Sequence, residues 1–213
     1  QQKTIDEIKK SGLNGRGGAA FPTAIKMQTV FDQEAKIKYV ACNADEGDGG
    51  TFSDRLIMEC DPFSLIEGMT IAAYSVGASH GYIYLRSEYP LAKYFLTEAI
   101  QTLKSSNLLG KNILGKNFAF DIELRIGAGS YVCGEETAMM ESIEGKRGLV
   151  RSKPPLPAIK GLFSKPTLIN NVITLASMSA ILLQGKEIFS QFGSGKSLGT
   201  MPYQLCGNIK QGG

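Results

Sequence analysis

The sequence predicts an α/β fold built on a mostly parallel sheet, and three observations carry that prediction. Short apolar runs read as strands at Ile37–Cys42, Tyr82–Leu85 and Phe118–Ile126. Segments with helical apolar spacing alternate with them. The connections between successive strands are too long for hairpins and long enough for helical crossovers, which parallel pairing requires.

The elements follow in order. A short polar run with helical character, Thr4 to Lys10, comes first, and residues 22–30 form a second helical segment behind a glycine-rich stretch. Ile37–Cys42 is the first strand and ends in Asn-Ala-Asp-Glu-Gly. Asp61-Pro62 supplies a helix cap and a first-turn proline. Leu65, Ile66, Met69, Ala73 and Tyr74 then recur at helical spacing, and Gly77 is placed to stop that helix. Tyr82–Leu85 is the second strand and Leu91–Leu103 an amphipathic helix.

Phe118, Phe120, Ile122, Leu124 and Ile126 alternate, as in a strand with one polar face. A helix through about Ile143 follows the loop after it. A proline-rich loop, Lys153 to Pro157, leads to Pro166-Thr167 and a long helix to about Leu183, which puts Asn170 and Asn171 near that helix's start. Beyond Gly193–Gly195, Met201–Ile209 reads as a fresh strand. Residues 1–192 are therefore expected to form the main unit, and residues 193–213 the start of a second one. The chain reads as a piece of a longer polypeptide.

Composition removes several function classes. The 213 residues carry a net charge of only +3, with lysines scattered rather than clustered, so no nucleic-acid surface is expected. No apolar run approaches a membrane span, and no direct membrane insertion is expected. Four cysteines lie far apart without a C-x-x-C pair, which suits reduced thiols in a cytoplasmic protein and no metal site. The single histidine, His80, leaves no Ser or Cys with a triad partner. No P-loop is present.

Chemistry collects in three places. Gly12, Gly15, Gly17 and Gly18 surround Arg16, directly before the helical segment 22–30 that contains Lys26. Backbone N–H groups free of Cβ atoms, backed by a helix start and fixed positive charge, make an anion cradle. Gly15, Gly17 and Ala20 fit G-x-G-x-x-A, but the first strand comes after them, which excludes a dinucleotide-fold first turn. The second place is Asn43, Asp45, Glu46 and Asp48 after the first strand; the third is Tyr131, Gly134, Glu135 and Glu136 after the third strand, joined by Asn170 and Asn171. Open α/β sheets bind ligands beyond the carboxyl ends of their strands. Asn and Asp suit the N–H and C=O edges of a flavin or pterin ring. Each also has a plainer role: Glu135 and Glu136 as dipole partners, Asp45 and Glu46 as turn residues, Asn170 and Asn171 as caps.

The strings SGLNGRGGAAFPTAIK, CNADEGDGGTFSDR, DPFSLIEGMTIAAY, GAGSYVCGEETAMMESIEG, KPPLPA and PTLINNV, spread over most of residues 10–175, resemble the NADH-oxidising flavoprotein subunit of respiratory complex I. Its relatives are the diaphorase subunit of NAD-reducing hydrogenases and the beta subunit of NAD-dependent formate dehydrogenases. The resemblance implies a Rossmann-like three-layer domain holding FMN, with NAD(H) stacked over the flavin. It implies hydride passing from nicotinamide to flavin, and electrons leaving singly to iron–sulfur clusters of a multi-subunit complex. Lys26, Asn43, Asp45, Tyr131, Gly134, Asn170 and Asn171 match FMN-binding positions, and Arg16, Glu46, Asp48 and Ile169 complete the expected set. Gly15, Gly17 and Gly18 would face the nucleotides, Phe21 the nicotinamide side or the adenine, and Lys153 the NADH entrance. Glu135 and Glu136 match the pair beside flavin and nicotinamide, the residues expected to be catalytic.

The family continues through a ubiquitin-like (SLBB, β-grasp) domain into a helical 4Fe–4S domain. Residues 193–213 would begin the first, and none of the four cysteines has cluster-ligand spacing. The expected partners are NADH and iron–sulfur subunits, among them a thioredoxin-like 2Fe–2S subunit or domain. Ala20 stands where the family has glycine, a change tolerable where φ stays negative. Asp48-Gly49 and Leu156 stand where complex I members usually have Glu-Pro and Phe, which points to the hydrogenase and formate dehydrogenase branch and leaves a shorter acid for the ribose or nicotinamide contact. Two other readings are a flavin-free docking domain of the same fold, as in the peripheral subunit of Rnf-type ferredoxin:NAD reductases, and a flavin enzyme using a donor other than NADH.

Overall fold

Four apolar runs pair side by side into one parallel sheet. The computed structural model describes residues 1–212; Gly213, the last residue of the expected second unit, lies outside the described residues. β1 (Tyr39–Ala44), β2 (His80–Leu85), β3 (Asp121–Ile126) and β4 (Thr167–Asn171) lie in the order β3-β2-β1-β4. Cys42 is level with Asn170, and Asn43 with Asn171 on one side and Tyr84 on the other.

The order steps from β1 to β2 to β3 and then returns to the far side of β1. Right-handed crossovers therefore place the first two sets of connecting helices on one face and the third on the other. The first connection holds α3 (Ser53–Cys60) and α4 (Pro62–Val76), and the second α5 (Pro90–Ser105). The third holds a 3-10 turn (Tyr131–Gly134), α6 (Glu136–Ile143) and the one-turn α7 (Pro157–Lys160).

The cores follow the strand period of two. Val40, Cys42 and Ala44 enter the larger core with Ile83 and Leu85, under α4, α5, α1 (Gln2–Ser11), α2 (Thr23–Phe31) and α8 (Val172–Gln184). Ala41, Tyr84 and Ile169 point the other way, against Met139, Met140 and Ile143 of α6. The result is three layers. Gly68 brings α4 so near α8 that a Cβ there would run into the Leu175 carbonyl.

The expected caps form. The Asp61 side chain accepts from the Ser64 N–H at 3.2 Å, and Gly77 ends α4 with φ +77°.

Four expectations are corrected. Residues 167–171 are strand β4, not helix, because their backbone pairs with β1; the helix begins only after Asn171, whose Oδ1 accepts from the Thr174 N–H. The third strand starts at Asp121; Phe118 and Phe120 precede it, and Phe120 bridges to Gly110 instead. Helix α3 was not expected at all. Met201–Ile209 forms no strand and pairs with no segment among the described residues; after α9 (Lys186–Ser190) the regular structure is a short hairpin, β5 (Gly193–Ser194) with β6 (Ser197–Leu198). Among the described residues no helix is long and apolar enough to cross a membrane.

Candidate functional site

Strand order reverses between β1 and β4, so the ligand crevice of such a sheet belongs at their carboxyl ends. A cavity of about 750 Å³ lies there, within the range of cofactor sites. Its walls are the Gly17–Gly18 loop, the segment after β1, the start of α3, the Tyr131–Glu135 turn, the cap of α8, and Met201–Gln204.

The glycine loop is tied at both ends. Gly15 donates its N–H to the Phe21 carbonyl at 2.9 Å, and the Arg16 N–H donates to Thr174 Oγ1 at 2.8 Å. Gly17 sits against Asn171, where a Cβ would stand 3.1 Å from the Asn171 Cβ, and Gly18 has φ +109°, a conformation that favours glycine. Arg16 is buried; its guanidinium donates to the Leu198 carbonyl, while Nε has no partner. Ala20 adopts φ +50°, so the position does take the left-handed conformation that suits the family's glycine. An alanine there costs about 1–2 kcal/mol.

Beyond β1 the side chains divide their work. Asn43 Nδ2 donates to the Gly134 carbonyl at 2.8 Å, and its Oδ1 accepts from the Asp45 N–H at 3.2 Å, which joins the two strand-end loops. Asp45 Oδ2 is buried and unpartnered. Burial raises the Asp45 pKa, with the Arg86 charge opposing. Glu46 has a structural role: its carboxylate accepts from the Asp54 and Arg55 N–H groups, both at 3.1 Å, and from the Tyr89 hydroxyl at 2.9 Å, capping α3. Asp48 Oδ1 accepts from the exposed Tyr131 hydroxyl at 2.8 Å.

Glu135 caps α6, accepting from the Thr137 and Ala138 N–H groups at 2.8 and 3.0 Å. Lys153 Nζ lies 3.0 Å from Glu135 and 2.7 Å from Glu136; Lys26 Nζ lies 3.7 Å from Glu136 and donates to the Ile169 carbonyl at 3.0 Å. Burial pushes the Glu135 pKa up, but hydrogen bonds from Thr137, Ala138 and Lys153 more than offset it and leave it below the usual value. Burial lowers the Lys26 pKa, opposed by the Glu136 carboxylate. Two ammonium groups and two carboxylates thus balance one another at the cavity edge.

Arg151 anchors the loop that carries Lys153. Its N–H donates to Thr137 Oγ1 at 2.9 Å, and its guanidinium pairs with Glu141 and, at 3.0 Å, with Glu144. Replacing Arg151 with alanine leaves the nearly buried Glu144 carboxylate with Lys146 and the Phe163 backbone N–H, which donates to it at 2.8 Å. A loss of about 2 kcal/mol is expected in urea unfolding; an unchanged midpoint would show that Lys146 and the Phe163 N–H suffice.

The structure thus brings together Arg16, Gly17, Gly18, Asn43, Asp45, Glu46, Asp48, Tyr131, Gly134, Glu135 and Asn171 around the cavity. Lys26, Glu136, Lys153, Ile169 and Asn170 stand beside it rather than in its lining; Ile169 contributes a carbonyl, and its side chain belongs to the smaller core. Gly15 and the exposed Phe21 pair with each other at the base of the loop. Asp54, which also lines the cavity, was not among the expected residues. No sequence signal marks it, because neither α3 nor the contact by which Glu46 takes its first N–H groups is local.

FMN fits this donor set. Asp45 Oδ2, Asp54 Oδ1, Asn170 Nδ2 and Arg16 Nε are buried without partners, in or beside the cavity. A group with amide edges, hydroxyls and an anionic end would answer both kinds of orphan, acceptor and donor.

Comparisons with known proteins show the family. Residues 8–180 match the family model described as the Nuo51 FMN-binding domain. The chain is 49% identical over 211 residues to the NADP-reducing hydrogenase subunit HndC of Solidesulfovibrio fructosivorans, covering 99% of this chain and 43% of that protein. It is 47% identical to an NADH-quinone oxidoreductase subunit of Aquifex aeolicus, covering 100% and 50%, and 44% identical to the HoxS alpha subunit of the NAD-reducing hydrogenase of Cupriavidus necator, covering 100% and 35%. The chain spans half or less of the length of these relatives. The crystal structure of an NAD+-reducing [NiFe]-hydrogenase in the H2-reduced state superposes with a TM-score of 0.86 at 38% identity, over 92% of this chain and 33% of that one.

Proposed function

The chain belongs to the Nuo51 FMN-binding domain family, and from that premise we propose that it is the FMN- and NAD(H)-binding module of an NADH dehydrogenase or diaphorase subunit. The observation that carries this reading is the set of buried, unpartnered polar atoms around one cavity at the β1–β4 crevice. The chemistry FMN supplies when bound is hydride exchange with a nicotinamide and single-electron exchange with one-electron carriers.

The chain's own groups bind and orient. Asn43 fixes the Gly134 turn against the segment that carries Asp45, whose free Oδ2 is an acceptor for a ring N–H. Lys26, Tyr131, Gly134, Ile169, Asn170 and Asn171 complete the flavin side. Gly17, Gly18, Asp48 and Lys153 serve the nicotinamide nucleotide. An incoming diphosphate competes with Glu135 and Glu136 for the Lys153 ammonium, so nucleotide binding and release of those carboxylates are coupled. Hydride transfer itself asks no proton of these residues; stacking the two rings within near-attack distance is the requirement.

On this reading the electrons pass to or from iron–sulfur subunits of a larger complex at the cytoplasmic side, among them a thioredoxin-like 2Fe–2S partner. A 4Fe–4S cluster sits in another part of the full-length protein, and residues 193–213 open a ubiquitin-like domain.

The test is spectroscopic. The full-length protein is expected to show bound-flavin absorbance that anaerobic NADH bleaches. Protein that is colourless and takes up no added FMN would instead be a flavin-free docking domain, and bleaching only by another reductant would mean a different donor. Asp45→Ala is expected to weaken FMN retention about tenfold or more. Glu136→Gln should retain flavin and change the KM or kcat for NADH. Equal flavin loss in both would refute this division of roles.

A further inference from the structure

Asp54 is 5% exposed and lines the cavity, and its neighbours account for only part of its carboxylate. It does not cap its own helix, because Glu46 takes the first N–H groups of α3, including that of Asp54 itself. It pairs with no cation among the described residues: neighbouring Arg55 reaches Glu59 and lies over the rings of Phe52 and Tyr89. One oxygen is held, since Asn171 Nδ2 donates to Oδ2 at 2.7 Å. The Ile173 N–H, in the first turn of α8, lies near enough to favour the carboxylate, yet Oδ1 accepts no hydrogen bond and is buried. Leaving an acceptor in that condition costs about 1–3 kcal/mol unless something else fills it.

We infer that Asp54 is a flavin-binding residue, with Oδ2 fixed by Asn171 and Oδ1 accepting a hydroxyl of the cofactor's polyol chain. The inference rests on the proposed FMN site. Phosphate is the wrong partner for this oxygen, because the Glu46 carboxylate lies close enough to push the Asp54 pKa up further. A hydroxyl donor has the right chemistry and no charge. Asn171 links the two ends of the site: it caps α8, touches Gly17 of the glycine loop, and orients Asp54. Asp54 therefore sits between the anion-facing loop and Asp45 with its free Oδ2, where a chain joining ring to phosphate would run.

The experiment measures flavin affinity of the full-length apoprotein by quenching of flavin fluorescence, with FMN and with riboflavin, which lacks the phosphate. Asp54→Asn keeps the shape and an acceptor for Asn171 but turns the free oxygen into an amide; Asp54→Ala removes both. Each variant is expected to bind FMN and riboflavin more weakly by the same factor of about ten, with the circular dichroism of the fold retained. Unchanged flavin affinity would overturn the inference. So would a loss confined to FMN, which would mean a phosphate contact, and a loss of the fold in both variants, which would mean a structural carboxylate. Failure of the proposed FMN site itself shows separately, as parent protein that binds neither flavin.

Discussion

Replacing Gly68 with alanine is expected to destabilise the chain by about 3 kcal/mol, and with valine by more, at the upper end of what overpacking a core costs. Gly68 lies inside α4 with ordinary backbone angles, so its conformational freedom is not the issue. The contact is. A Cβ at this position would overlap the Leu175 carbonyl of α8 and reach 3.2 Å from the Ala176 nitrogen, both of them backbone atoms that no rotamer change can move. Relief requires α4 and α8 to separate along a contact lined by buried Leu65, Ile66, Met69, Leu175 and Met178. Separation also shifts the start of α8, where Asn171 and Thr174 hold Asp54 and the Arg16 N–H, so flavin affinity should fall together with stability. Urea unfolding of Gly68→Ala checks the first effect. Gly49→Ala, with nothing within 4 Å of its Cβ, serves as the neutral comparison. A Gly68→Ala midpoint equal to that of the parent would mean the two helices slide freely.

The parts of this structure legible in the sequence are those with local causes. Asp61-Pro62 and Gly77 bound α4 because a cap and a left-handed C-terminus are chemistry within a few residues. β1 and β2 are apolar runs of strand length. β4 was hidden because Thr-Leu-Ile-Asn-Asn is buried on both faces, shows no alternation, and runs straight into α8; only pairing with β1 makes it a strand. Met201–Ile209 is the converse, a strand-like run without a pairing partner among the described residues. The site behaves the same way. Asn43 stands near the end of β1, and Asp45, Tyr131 and Gly134 follow strands, where the crevice rule expects a ligand. Glu46 caps α3 and Asp54, which the sequence does not single out, lines the cavity, since which of two acids takes the α3 N–H groups is a matter of geometry. Ala20 is tolerable only where φ is negative, and the fold, which no local signal reveals, sets it at +50°.

The same geometry gives Asp54→Asn a second, opposite effect: in the flavin-free chain it is expected to raise stability above pH 7 by up to about 4 kcal/mol. Burial pushes the Asp54 carboxyl up to about 7, the Glu46 carboxylate adds to the shift, and Asn171 and the Ile173 backbone N–H oppose it. The other titratable or charged neighbours are the Cys42 thiol of β1, which burial holds in its neutral form, and Arg55, occupied elsewhere. In the unfolded chain the same carboxyl titrates near ~3.9. Between these values the unfolded state releases a proton that the folded state keeps, so stability falls as pH rises from about 4 to about 7. Three units at about 1.36 kcal/mol each set the upper bound. Asparagine carries no charge in either state and removes that slope. Urea unfolding of apoprotein and variant at pH 5 and pH 8 should therefore show curves that diverge with rising pH; a constant difference would mean that Asp54 ionises freely in the fold. An aspartate that weakens the empty protein and tightens the flavin-loaded one is what a binding residue looks like when its partner is missing. A purely structural carboxylate would move both quantities in the same direction.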